Sequence, residues 1–316
     1  MPKAQILSKG FTVLSTDILV AKTKSSRSLG FVYFRRLSVP EAASMNRLLS
    51  FTIMVLFTSF LCASMPEQVL VNSGSFLMGT TWREEGVDNE PVRRINLNYD
   101  YYIGKREVTF DEFDTFCEET GRNVPGDSGW GRDSRPAINV SWWDAIAYCN
   151  WLSFKEGLPL AYDSEGHILD AMGRRTTDPS EVKGYRLLTD AEWEFAARGG
   201  NASEGYTRSG GNSVDSVAWY KSNSENMTHP VGTKAPNELG IYDMSGNVWE
   251  WISDYHRYYS SSEETNPYVD VFSAYRVKRG GSWIDCPVGV SIDVRSKGLP
   301  GHTITNLGFR ICRTAK

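Results

Sequence analysis

Cysteine is scarce and poorly spaced for chemistry. The five in the chain, Cys62, Cys117, Cys149, Cys286 and Cys312, include no C-x-x-C pair and have no histidine at ligand spacing, which argues against a zinc site. The four histidines, His167, His229, His256 and His302, are scattered. Only one apolar run stands out, Leu48–Leu61, and it is short of the roughly 20 residues a membrane-spanning helix needs. Basic charge is lacking beyond the leader. The whole chain carries a net charge of −4, residues 1–61 hold eight Lys or Arg against two acids, and the remainder is therefore at −10, which excludes nucleic acid as a partner. No nucleophilic triad, phosphate loop or pair of catalytic carboxylates is recognisable, and no internal repeat is visible.

What is present is aromatic and glycine-rich. Hydrophobic residues make up 41% and charged residues 23% of the 316 positions, and ten Trp, fifteen Tyr and 28 Gly favour a loop-rich α+β structure over a helical bundle. Removal of a leader leaves about 250 residues, enough for one large domain with a substantial core.

The leader has two parts. Asn46-Arg47, the apolar run and Cys62-Ala63 read as a secretory signal over residues 45–61. The ending Ser59-Phe-Leu-Cys62 resembles the loose lipobox of spirochaete lipoproteins, which implies cleavage before Cys62, lipidation of that cysteine and a tether over residues 62–68. A transmembrane anchor is the alternative. Acylation there would hold the protein to a bacterial membrane, since each buried methylene contributes about 0.8 kcal/mol; the expected location is the envelope, outer membrane and surface-exposed. Residues 1–44 are basic and precede a signal that ought to begin the protein, so they read as an over-extended gene start, with translation from Met45, or as a disordered tail.

In the body, residues 69–316, the first expectation is a hairpin joining Val69–Val71 to Phe76–Met78, followed by a second strand pair within Arg94–Ile103. Three helix starts share one signature: Thr109-Phe-Asp-Glu112, Ser141-Trp-Trp-Asp144 and Thr189-Asp-Ala-Glu192 each place a hydroxyl at the N-cap and a carboxylate three residues on. Behind the first, Phe110, Phe113, Phe116 and Cys117 recur at helical spacing; behind the second, Trp142, Ala145, Ile146, Cys149 and Leu152 do. Both stripes read as core. The last quarter is strand-like at Val248–Ile252, Arg276–Lys278, Gly281–Ile284, Val290–Arg295 and Leu307–Cys312, which predicts a small antiparallel sheet.

The most distinctive stretch is Gly240-Ile-Tyr-Asp-Met-Ser-Gly-Asn-Val-Trp-Glu-Trp251. Its glycines permit tight turns, Val248, Glu250 and Ile252 alternate with Trp249 and Trp251 as in a strand with unlike faces, and Asp243 and Glu250 bring carboxylates. Hard oxygens beside a Gly turn suit calcium; a tight turn burying two tryptophans explains the same residues without one. The stretch resembles the signature of the formylglycine-generating-enzyme, or sulfatase-modifying-factor, family. Phe76–Gly79, Tyr102–Thr109, Pro136–Trp142, Tyr185–Arg198, Arg279–Trp283 and Asn306–Arg310 are similar to further blocks of that family, in its order. The resemblance implies a C-type-lectin-like fold with small antiparallel sheets and a few helices. It also implies structural calcium held by Asp243, Gly246, Val248 and Glu250, with carboxylates from the first and last and carbonyls between. In the family's oxidases a cysteine pair binds copper; the matching positions here hold Asp285 and Val290, and Cys286 lies one place off and alone. The implied catalysis is accordingly lost, with an oxidoreductase or protein-modifying enzyme as the alternative.

Residues 284–306 contain no Glu, Gln, Met or Trp, and Lys297 is their only lysine, whereas the preceding segment of equal length holds two Glu, a Lys and a Trp. Adenine-directed mutagenesis of Asn codons ending in C, the habit of diversity-generating retroelements, cannot yield those residues; Lys297 departs from the pattern. The position, between Gly-Gly-Ser-Trp and Leu-Gly-Phe-Arg, resembles the variable region of lectin-fold variable proteins, including lipid-anchored ones of Treponema. The resemblance implies a ligand-binding face within 284–305, drawn from Ile284, Asp285, Cys286, Gly289, Val290, Ser296, Lys297, Gly298, Gly301, His302, Thr303, Ile304 and Thr305, with Trp283 and Phe309 turned inward. The expected partner is an external protein or other surface ligand, bound by a monomer.

Overall fold

The computed structural model describes residues 65–80 and 89–315, so the readings of the leader and of Cys62 lie outside the described residues. Ala63–Lys316 form one compact unit.

All three N-caps form as reciprocal capping boxes, and each starts a helix: α1 (Phe110–Thr120), α2 (Trp142–Lys155) and α3 (Asp190–Ala197). Each box satisfies two backbone donors that a helix start would otherwise leave open. The helix α1 ends at Gly121 in the left-handed region, and Gly199, also left-handed, follows Arg198 at the end of α3. A fourth, short helix is α4 (Val214–Val217).

The strands are β1 (Gln68–Val71), β2 (Gly74–Met78), β3 (Arg93–Leu97), β4 (Tyr101–Gly104), β5 (Arg186–Leu187), β6 (Trp249–Tyr255), β7 (Glu264–Thr265), β8 (Arg276–Arg279), β9 (Arg295–Gly298), β10 (Leu307–Phe309) and β11 (Ile311–Thr314). They form three sheets in the orders β1-β4-β11-β5, β10-β6-β8-β9 and β2-β3-β7. Both expected local hairpins are corrected: β1 pairs with β4, and β2 with β3. The turns between β1 and β2 and between β3 and β4 thus switch sheets. The sheets are mixed, because β10 runs parallel to β6 and β7 parallel to β3. Gly281–Ile284 and Val290–Val294 are turns instead of strands, and the expected strand Leu307–Cys312 divides at Arg310 between two sheets.

Strand β6 lies between two core clusters. Trp249 and Trp251 pack into the one built on α1 and α2, while Ile252 joins the one containing Trp193 and Phe195 of α3. Indole donors fasten the layers: Trp142 Nε1 donates to the Ile252 carbonyl at 2.9 Å, Trp251 Nε1 to that of Val140 at 3.1 Å, and Trp193 Nε1 to the Glu250 carboxylate at 2.8 Å. A buried indole N–H needs such a partner.

Candidate functional site: an acidic turn and the segment it supports

The turn ahead of β6 has three residues in the left-handed region, Asp243 (φ 58°), Gly246 (φ 85°) and Asn247 (φ 58°). Only glycine fits at 246, where a Cβ would lie 2.2 Å from the Trp219 carbonyl oxygen. Asn247 is the hub. Its main chain donates to Trp219 O at 2.8 Å and accepts from Trp283 N at 2.8 Å, and its side-chain oxygen accepts from His229 N at 2.9 Å. Its amide donates to Glu107 Oε2 at 2.6 Å, and the adjoining Val248 N donates to Glu107 Oε1 at 3.1 Å.

Three carboxylates, Glu107, Asp243 and Glu250, are buried around this turn, and Arg310 is the guanidinium among them. Arg310 donates to Glu250 Oε1 at 2.7 Å and to the carbonyls of Gly104 and Tyr242. Asp243 Oδ2 accepts from Gly232 N at 2.6 Å. One buried guanidinium does not pair with all three carboxyl groups, and the low-dielectric site favours the neutral form of two of them. Burial, then the charges of Asp243 and Glu250, push Glu107 well above the usual carboxylate range, and burial raises Asp243 to about 6.

Asp243 and Glu250 carboxylate oxygens and two backbone carbonyls are the hard-oxygen donor type that calcium takes. An ion here would share Glu250 with Arg310 and Trp193. Among the described residues no group of three or more His, Cys, Asp or Glu side chains is placed to hold a metal by itself, so the carbonyls of Gly246 and Val248 are essential to such a site. Sequence reasoning missed Glu107 and Arg310 as members. Both stand inside matched blocks, but a charged residue beside Arg106 or Phe309 reads as solvated until the fold buries it.

The segment 284–305 is not uniformly exposed. Ile284, Cys286, Lys297, Gly301, His302, Thr303 and Ile304 face solvent, and Asp285, Gly289, Ser296 and Thr305 are half-buried. Val290 and Gly298 are corrections. Val290 is fully buried against Val217, Ala218 and Tyr220, and Gly298 lies under Trp251, whose ring a Cβ would approach to 2.8 Å. Residues 291–295 are buried as well, because Arg279 donates to the carbonyls of Ile292 and Val294 and β9 pairs with β8. Trp283 and Phe309 turn inward as expected. Val288 and Leu299, outside the expected set, are exposed at 48% and 40%.

The rest of the domain grips this segment mainly by its main chain. Lys221 N donates to Asp285 O, Ser224 Oγ to Trp283 O and Arg208 Nη2 to Pro287 O; Asn139 N donates to Ile304 O, Trp142 N to Pro300 O and Trp283 Nε1 to Thr305 O. None of these bonds depends on a side chain of residues 284–305. Side-chain exceptions include Ser282 Oγ to Asp285 at the first turn and, in the buried middle, Asn89 Nδ2 to Asp293 and Arg295 to Asp190 and the Arg257 carbonyl.

The four described cysteines are free; Cys117, Cys149 and Cys312 are buried, and Cys286 is exposed. Asp285 and buried Val290, the positions that the sequence resemblance matches to copper thiolates, carry no sulfur.

Residues 57–315 match the sulfatase-modifying factor enzyme 1-like domain. The chain belongs to this family. Within it, the chain is 35% identical to the chaperone protein LppX of Paenibacillus barcinonensis over 78% of its length and 89% of the relative's. It is 26% identical to the formylglycine-generating enzyme of Mus musculus, over 78% and 75%. Among solved structures, Treponema denticola variable protein 1 superposes with a TM-score of 0.63 at 30% identity, covering 78% of this chain and 95% of that one. The proteins this chain is similar to thus include a chaperone, a formylglycine-generating enzyme and a variable protein, and the fold alone does not fix which role a member has.

Proposed function

We propose that this chain is a lipid-anchored display protein of the bacterial envelope, whose exposed residues within 284–305 bind an external ligand and are diversified by a retroelement. The observation that carries the reading is the main-chain grip on that segment: side chains at its surface can change while the bonds that hold it remain. The likeness to Treponema denticola variable protein 1 supports it, and the name of LppX, a chaperone, favours a polypeptide as the ligand. The domain is not an oxidase of the parent type, since the two-thiolate site has no cysteines. Calcium, bound through Asp243, Glu250 and the carbonyls of Gly246 and Val248, neutralises the acidic turn and stiffens the scaffold.

Sequencing the gene from several isolates tests the central claim. Differences are expected to concentrate at exposed positions of 284–289 and 296–305; differences spread evenly through residues 69–316 would sink it. The anchor is tested separately. Cys62→Ser is expected to move the protein out of the detergent phase on phase separation, and a variant that stays there has some other anchor.

A further inference from the structure

Glu107 enters β6's acidic turn from a distant part of the chain, just after β4, and its carboxylate is almost fully buried. Both of its oxygens are used on the turn. One takes the amide of Asn247 at 2.6 Å and the other the backbone N–H of Val248 at 3.1 Å, so the carboxylate clamps the peptide between two residues. That peptide is followed by the Val248 carbonyl and preceded by the Gly246 carbonyl, the two backbone donors of the calcium reading. Two of the three left-handed residues of the turn lie in or beside the clamp, a conformation that costs free energy and needs outside support. Glu107 also lines a cavity of about 310 Å³ with Gly232, whose N–H donates to Asp243 Oδ2. The cavity thus touches two residues that hydrogen-bond to the turn, Glu107 to Val248 N and Gly232 to Asp243.

We propose that Glu107 is the positioning residue of the cation site: it holds the 246–248 carbonyls in place and through Asn247 ties the ion to the segment that displays the ligand face. The last link is the bond from Trp283 N to Asn247 O, which fixes the main chain immediately before Ile284. This inference rests on the calcium reading above.

The test is calorimetric titration of calcium chloride into the full chain and into Glu107→Gln, each first stripped with chelator. A supporting partner to metal ligands typically changes metal affinity by roughly 10–100-fold, and Glu107→Gln is expected to weaken binding by at least about tenfold within a folded domain. Tight calcium binding by the parent and equal binding by the variant overturns the role of Glu107 while leaving the calcium site standing. Absence of binding to the parent overturns the calcium reading and this inference with it. Hydrogen exchange on the parent chain gives an answer even where Glu107→Gln fails to fold. Calcium is expected to slow exchange of the Val248 and Trp283 amides, and unchanged exchange at both, with calcium bound, overturns the coupling.

Discussion

Arg279 is fully buried and spends all its donors. It reaches Asp190 at 2.5 Å, Glu194 at 2.6 Å, Tyr259 at 3.0 Å and the carbonyls of Ile292 and Val294, so one side chain joins α3 to the buried middle of the display segment. Two aspartates meet in this network with opposite shifts. Burial favours the neutral form of Asp190, but Arg279 and Arg295 outweigh it and hold the group at about 2, below its ordinary 3.8. Burial, then the charge of Asp190, raises Asp254 from 3.8 to about 7. The depressed group contributes stability that is present above pH 3.8 and lost as pH falls towards 2. The raised group contributes stability that is present below pH 3.8 and lost as pH rises through about 7. Asp254→Asn removes the second effect. It also loses one of the two acceptors used by the Asp190 and Val269 N–H groups, a cost independent of pH. Measured by denaturant unfolding, the stability of the variant relative to the parent is therefore expected to improve between pH 4.5 and pH 7.5, by on the order of 1 kcal/mol or more. A difference constant across that window would mean that Asp254 is ionised throughout.

At the scale of elements, helices were more legible than strands, and for a local reason. Each helix start is written in four consecutive residues, and the Thr109, Ser141 and Thr189 boxes all close as expected. The apolar stripes behind the first two boxes are core. Strand partners are not local information. Val69–Val71 and Phe76–Met78 have the look of a hairpin around Asn72-Ser-Gly, yet the strands they seed pair with β4 and β3, because the chain turns between sheets there. Leu307–Cys312 looks continuous, but Arg310 must reach Glu250, Gly104 and Tyr242, and the strand breaks where that side chain leaves. The same limit applies to the site. Asp243, Gly246, Val248 and Glu250 come from one motif and could be named together, whereas Glu107 is 141 positions from the Val248 amide it holds and nothing near it announces the contact.

For the whole molecule, the domain separates surface that can vary from interior that cannot, and the border runs through residues 284–305. Ile284, Cys286, Lys297, His302 and Thr303 face solvent on a main chain held from outside, and an exposed substitution away from special features usually shifts stability by less than about 0.5 kcal/mol. Replacing these five by serine in one variant is thus expected to leave the thermal midpoint within a few degrees of the parent. Val290, which directly follows the half-buried or exposed residues 285–289, belongs to the other class: it is fully buried beside Val217, Ala218 and Tyr220, and Gly281 packs on it. Asparagine there would bury an amide among apolar side chains, at a cost of roughly 1–3 kcal/mol for the unmatched polar group in addition to the lost apolar contact. Val290→Asn alone is expected to lower the midpoint further than the five serine replacements together. The opposite order would show that the exposed positions carry the fold, and a surface that carries the fold is not one that a diversifying mechanism can rewrite.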